Sequence, residues 1–205
     1  MAVIIKNGYF GTPPTKANGL VLYLDAANRK SYVSGSTVWN DISGNGYSGS
    51  LANNPIFNSQ NGGNIVFDGV NNYATVSDSN LFNLDNGLTV SIWFKRDNTG
   101  ASNVRLLYKG AASNAISGFL FSTGTTSLSA TVGNGTTRTS AVITISANTW
   151  EHVSFVYKKS EVFQVYRSGI LIDSQTPFTT NCNNTTNLTM QHKLQPYYSQ
   201  EAYQI

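Results

Sequence analysis

Apolar and polar residues alternate with a period of two through much of this chain, the pattern of strands that turn one face to a core. The clearest case is GLTVSIWFK at residues 87–95, where Leu88, Val90, Ile92 and Phe94 share one face and Thr89, Ser91 and Trp93 the other. WEHVSFVY at residues 150–157 alternates likewise, with Val153, Phe155 and Tyr157 on one side and His152, Ser154 and Val156 on the other. Further strands are predicted at GLVLYLDA, NIVFDG, YATVS, VRLLYKG, GFLFS, SLSATVG, RTSAVITI, EVFQVYR and ILIDSQ, with Gly, Asn, Ser and Thr between them. Ser168-Gly169 predicts a two-residue hairpin turn. The turn formers from Asp68 to Asn72 predict that NIVFDG and YATVS pair as a hairpin. No stretch has helical periodicity and no tandem repeat appears. Roughly ten to thirteen short strands with regular turn signals predict an all-β fold, an antiparallel sandwich or jelly roll.

The two ends read differently from the middle. Residues 1–18 read as an extended arm, because Pro13-Pro14 favours hydrogen-bond-poor backbone. Its apolar residues Val3, Ile4, Ile5, Tyr9 and Phe10 are the candidate assembly contacts, docking on a neighbouring subunit or covering an edge of their own domain. Residues 19–190 carry the sandwich, and residues 191–205 form an atypical tail.

Composition narrows the function classes. The chain has 205 residues, enough to bury about 70% of its unfolded surface without staples. Only 11% of residues are charged, while 24 Asn and 18 Gly supply neutral polarity suited to tight turns. The net charge of +3 comes with no basic cluster, which argues against nucleic acid as a partner. The single Cys182 excludes an intrachain disulfide and a cysteine-based zinc site, and reads as a small buried apolar residue. The apolar run from Ala2 to Ile5 is too short for a signal-peptide core, and no run approaches a membrane span of ~20 residues. Neither export through a signal peptide nor membrane insertion is expected.

Several segments together resemble one family. FDGVNNYATV at residues 67–76 precedes GLTVSIWFK, and a set of short strands leads to NTWEHVSFVYKKSEVFQVYRSGILI at residues 148–172. This order is similar to the laminin-G-like domains of the concanavalin A-like lectin/glucanase superfamily. There a Trp-x-His-Val strand pairs with one carrying Tyr-x-x-Gly, matched here by Trp150, His152, Val153, Tyr166 and Gly169. The opening segment, with its Leu-Asp-Ala strand and WNDISGNG turn, resembles such domains in bacteriophage structural proteins. The resemblance covers about residues 19–190 and implies a concanavalin A-like sandwich. It does not imply one function, because the superfamily hosts lectins, hydrolases and structural modules. The tail departs from the family: NLTM is followed by QHKLQPYYSQEAYQI instead of the usual last strand. Residues 197–205 are either an altered start of that strand or a truncated or frame-shifted end. A missing strand would leave an open edge for a partner chain, the N-terminal arm or a second subunit.

Candidate chemistry is sparse. Glycoside hydrolysis needs two carboxylates flanking the scissile bond, and the chain's three glutamates, Glu151, Glu161 and Glu201, form no such pair. Glu151 and Glu161 are expected on a solvated face. A catalytic triad is not indicated, since only His152 and His192 exist and no Gly-x-Ser-x-Gly elbow appears. No catalytic residue is therefore assigned, and the chain is expected not to be an enzyme. Asp68, Asn71 and Asn72 are the candidate calcium ligands, with Asp41 and Asn45 also offering oxygens. The preferred reading of these residues is that they stabilise their own turns, so no cofactor is expected. For a carbohydrate, Trp39, Asn40, Asp41 and Tyr47 combine aromatic rings with hydrogen-bonding groups in one loop, although packing is the preferred role for Trp39. Trp93 and Trp150 read as core or inter-sheet packing.

The expected function is a non-enzymatic structural component of a bacteriophage virion: head-decorating, fibre or tail-associated. Its expected partners are other virion proteins and copies of itself. The alternative is a carbohydrate-binding module that adheres to host-surface glycans.

Overall fold

The computed structural model describes residues 2–6, 19–97, 104–110 and 117–194; for residues 2–6, 86 and 192–194 it describes the backbone alone. Among these residues are sixteen strands, numbered in chain order, and three short 3-10 turns. Strands β1 (Ala2–Lys6), β2 (Leu20–Asp25), β8 (Leu88–Lys95), β13 (Trp150–Lys158), β14 (Val162–Arg167) and β15 (Ile170–Ser174) form a six-stranded sheet in the order β15-β14-β13-β8-β1-β2. An eight-stranded sheet contains β3 (Val38–Trp39), β4 (Gly49–Ala52), β7 (Tyr73–Val76), β9 (Val104–Lys109), β10 (Ser117–Thr123), β11 (Ser127–Asn134), β12 (Arg138–Thr144) and β16 (Leu188–Leu194). Its order is β12-β11-β10-β9-β16-β7-β4-β3. A separate hairpin joins β5 (Ile56–Asn58) to β6 (Asn64–Val66). Neighbouring strands are antiparallel throughout.

Register explains why the period-two pattern builds one core. Across the eight-stranded sheet, Ala141, Ala130, Phe121, Leu107, Met190, Ala74 and Leu51 are successive cross-strand partners, and all are buried. Across the six-stranded sheet, Val165, Phe155 and Val90 form a matching row, also fully buried. Phe155 lies at the centre of the layer between the sheets, with the rings of Phe121, Phe163, Tyr157 and Phe119 at 5.4–6.3 Å. Each such side chain contributes about 1.5–3 kcal/mol by leaving water.

A buried ammonium fixes one end of the layer. Lys109 is 1% exposed, and its Nζ donates to Asp78 Oδ1 at 2.5 Å, to Asn184 O at 2.8 Å and to Thr186 O at 3.0 Å. Asn184 Nδ2 in turn donates to Ser117 O at 2.6 Å. Gly118 beside it has φ +117°, and a Cβ there would lie 2.1 Å from Lys109 O, so only glycine lets the strands close at this point.

Two sequence expectations are corrected and a third is narrowed. NIVFDG and YATVS do not pair: β6 pairs with β5, while β7 lies between β4 and β16. The intervening turn closes on itself instead, because Asp68 Oδ1 accepts the N–H groups of Val70, Asn71 and Asn72. Trp93 faces outward and is 48% exposed, since its strand partners alternate about a core row to which it does not belong. Of the two roles open to the arm, its first residues take the one within their own domain. β1 is an interior strand, with Val3 between Ile92 and Leu24 and Ile5 between Val90 and Leu22. The backbone of Val3, Ile4 and Ile5 thus pairs on both sides within its own chain and offers no edge to another subunit. Tyr9, Phe10 and residues 195–205 lie outside the described residues.

Residues 2–6 are consequently expected to be needed for folding. A chain lacking them loses the ladder between β2 and β8 and is expected to melt lower by roughly 10 °C or more, as checked by thermal unfolding.

Candidate functional site

The loop predicted from sequence to meet a sugar is instead a self-contained structural turn. Trp39 is fully buried, so its ring presents no face to a ligand, and the packing role is the observed one. Asp41 is consumed by its own surroundings. Its Oδ1 accepts from the N–H groups of Tyr23 and Ser43 at 2.9 and 2.8 Å, and its Oδ2 from Ser43 Oγ and Tyr47 N at 2.7 and 3.1 Å. The Tyr47 hydroxyl oxygen accepts from Ser79 Oγ at 2.9 Å, and its ring lies edge-on to Phe82. Asn40 is exposed. Asn45 Nδ2 ties the turn to β2 through Leu20 O and Val21 O.

The candidate calcium ligands are also occupied by protein. Asp68 Oδ1 holds three backbone N–H groups, and Asn72 Oδ1 accepts from Asp68 N at 3.1 Å while its Nδ2 donates to Asn53 O. The N–H groups of Asn72 and Val70 hold the Asp68 carboxyl below the usual carboxylate range. Asn71 is exposed at the tip. Among the described residues, no group of three His, Cys, Asp or Glu side chains converges as a metal site would.

The other ionisable side chains singled out in the sequence are held by structural partners or by burial where they are described. Glu151 is not solvated as expected but 3% exposed, because Arg167 binds it with Nε and Nη2 at 2.8 and 2.7 Å and Ser146 N donates to it at 2.9 Å. Glu161 is exposed and pairs with Lys158. His152 Nε2 lies 2.7 Å from Ser91 Oγ, and burial pushes its imidazole below the usual range. Ser91 sits mid-strand, where neighbouring N–H groups serve the ladders on both sides and leave none for an oxyanion. His192 contributes backbone alone to the described structure. Cys182 is buried, and burial pushes its thiol up.

The structure brings a different set of residues together. A cleft of about 310 Å³ opens where the β5–β6 hairpin folds over one end of the sandwich. That volume is at the lower end of the usual range for small-molecule sites. Six carboxamides line it: Asn58, Gln60, Asn61 and Asn64 from the hairpin, Asn148 from the loop before β13, and Gln191 from β16. Phe67, Phe94 and Trp150 supply aromatic surface, and the exposed pair Lys95 and Asp97 supplies the charges.

Local backbone features place these groups. The hairpin turns through Asn61 at φ 55° and Gly63 at φ 122°. A Cβ on Gly63 would lie 3.0 Å from Ala26 O and from the Phe57 ring, so glycine permits the hairpin to seat against the domain. Asn64 is buried, and its Nδ2 donates to Asn58 O and Gln60 O, which holds the turn closed. On the opposite wall, β9 pairs Leu107 with Met190 and Arg105 with Lys193, so Leu106 alone faces residues 191 and 192. Such a bulge re-aims side chains, and both Leu106 and Gln191 line the cleft. Sequence reasoning missed every one of these residues. The available signal was the density of carboxamides in NSQNGGN beside the strand NIVF, which reads equally as turn chemistry.

The antiparallel sandwich defines a concanavalin A-like β-domain. The chain belongs to the concanavalin A-like lectin/glucanases superfamily, whose family model matches residues 68–193. Among curated proteins, no sequence matches it. Solved structures with this fold include botulinum neurotoxin type C, a toxin dependent upon interaction with two ganglioside molecules to enter cells (TM-score 0.69, 16% identity, 87% of this chain and 44% of that one). The binding domain of botulinum neurotoxin serotype D has a TM-score of 0.61 and 15% identity, over 75% of this chain and 40% of that one. The binding domain of Paraclostridial Mosquitocidal Protein 1 has a TM-score of 0.60 and 17% identity, over 75% and 41%. These identities show a shared fold, and this chain spans less than half the length of those structures.

If the WNDISGNG turn is structural, removing its carboxylate should act on folding. Asp41→Ala is expected to cost about 2–4 kcal/mol, read from the shift of a urea unfolding curve, because it leaves partly buried N–H groups unpaired.

Proposed function

We infer that this chain is a non-catalytic carbohydrate-binding domain and that the carboxamide-lined cleft holds the glycan. The observation that carries this reading is the pairing, in one cleft, of six side-chain amides with aromatic surface. Each amide both donates and accepts, as does each sugar hydroxyl, and aromatic rings suit the apolar faces of a pyranose. The ganglioside dependence of botulinum neurotoxin type C, which shares the fold, supports a glycan over other small molecules.

The setting we infer is a bacteriophage virion, in a head-decorating, fibre or tail-associated protein. Support comes from the phage-like opening segment and from the edge strand β15, whose Ile170, Leu171 and Ile172 are 67%, 46% and 49% exposed. These exposed apolar side chains, on a strand that Asp173 ties to β12, replace β1 as the candidate contact with other virion proteins or with copies of this chain.

A glycan array probed with the purified chain is expected to give saturable binding to at least one glycan class. Binding should survive chelation of calcium, because Asp68 Oδ1 and Asn72 Oδ1 close their own turn. A blank array in both conditions would overturn the glycan reading. For the setting, mass spectrometry of purified particles is expected to find this chain at stoichiometric level, and its absence from particles would refute that part.

A further inference from the structure

We propose that the cleft selects an uncharged sugar and that Gln191 is its specificity-determining residue, an inference that rests on the glycan reading above. Gln191 is 7% exposed and lines the cleft, yet no hydrogen bond engages its side-chain amide among the described residues. Its amide atoms are not closed off from solvent, so they open to the cleft that Gln191 lines. Its free donors and acceptor are set at the cleft wall by the bulge opposite Leu106. Across from it, Asn64 spends its Nδ2 on Asn58 O and Gln60 O, which leaves its Oδ1 as an acceptor. The cleft therefore presents both donors and acceptors from buried, neutral groups.

The charges argue against an anionic ligand. A sialic acid, uronate, sulfate or phosphate held in a cleft needs a cation or several charge-assisted donors. Here the two charged side chains at the cleft, Lys95 and Asp97, are exposed and of opposite sign. Neutral hydroxyls match what the buried groups offer.

The test uses the full chain, an array that includes neutral and acidic glycans, and titration calorimetry on the hits. Wild-type protein is expected to bind neutral glycans and to ignore sialylated and sulfated ones. Gln191→Met keeps the volume and removes the amide. It is expected to weaken binding at least tenfold, while the melting temperature stays level or rises, a combination that a purely structural glutamine would not produce. Asn61→Gly, at an exposed turn residue with positive φ, keeps the backbone and removes one rim amide; it is expected to weaken binding several-fold and covers the case in which Gln191→Met does not fold. Hits confined to acidic glycans, or binding unchanged in both variants, would overturn this proposal and leave the glycan reading standing. Absence of any wild-type binding would overturn both.

Discussion

The dry layer between the two sheets, centred on Phe155, is the constraint from which the rest of the molecule follows. Phe155 meets aromatic partners from its own strand, from β14 and from β10, so its position ties three strands and both sheets to one geometry. Antiparallel ladders then carry that geometry outward, because each cross-strand row must keep its buried side chain in register. The Lys109 ammonium acts at one end of the layer. Buried almost completely, it satisfies its charge with one carboxylate and main-chain oxygens of residues 184 and 186, and so fixes the long segment before β16 against β9. Removing either partner would strand a charge in the interior.

The same constraint explains where the candidate site lies. Sheet centres are closed by packing, and the sheet edges near β12 and β15 are laced together by Asp173, whose Oδ2 accepts Val142 N at 3.0 Å. Register shifts interrupt several ladders, among them β9–β10, β14–β15 and β16–β9. The β5–β6 hairpin and the bulge in β16 meet at one end of the sandwich, and there polar side chains turn toward a shared space without entering the core. A rigid scaffold with its variable groups at one end can gain a binding site without altering the layer that holds it together.

The outward face of the six-stranded sheet has a separate character. Trp93 stacks on His152 with ring centroids 4.9 Å apart, and His152 is held by Ser91. The indole is thus ordered although half exposed, and the buried Ser91 and Ser154 beneath it share a hydrogen bond. Polar side chains on the solvent side of a sheet satisfy one another here, which lets the alternation continue without a second core.

Much of the fold was legible in the sequence because strand alternation is a local property. GLTVSIWFK and WEHVSFVY each showed which residues would be buried, and Leu88, Val90, Ile92, Phe94, Val153, Phe155 and Tyr157 are all in the core. The Ser168-Gly169 turn was equally local: both residues have positive φ and join β14 to β15. Partnership was not local. The turn at Asp68 could close a hairpin or simply close itself, and only the competition among strands for neighbours decided that β7 joins β4 and β16. The role of the first residues was open for the same reason, since the apolar run from Ala2 to Ile5 reads alike as an arm or as an inner strand. The cleft was beyond the sequence altogether: it joins residues from 58–67, 94–97, 106, 148–150 and 191, and one of its walls depends on a bulge that breaks the very periodicity on which sequence reading relies. Local patterning determined the strands and the core, while chain crossing and register, which depend on long-range pairing free energy, decided which polar groups face one another.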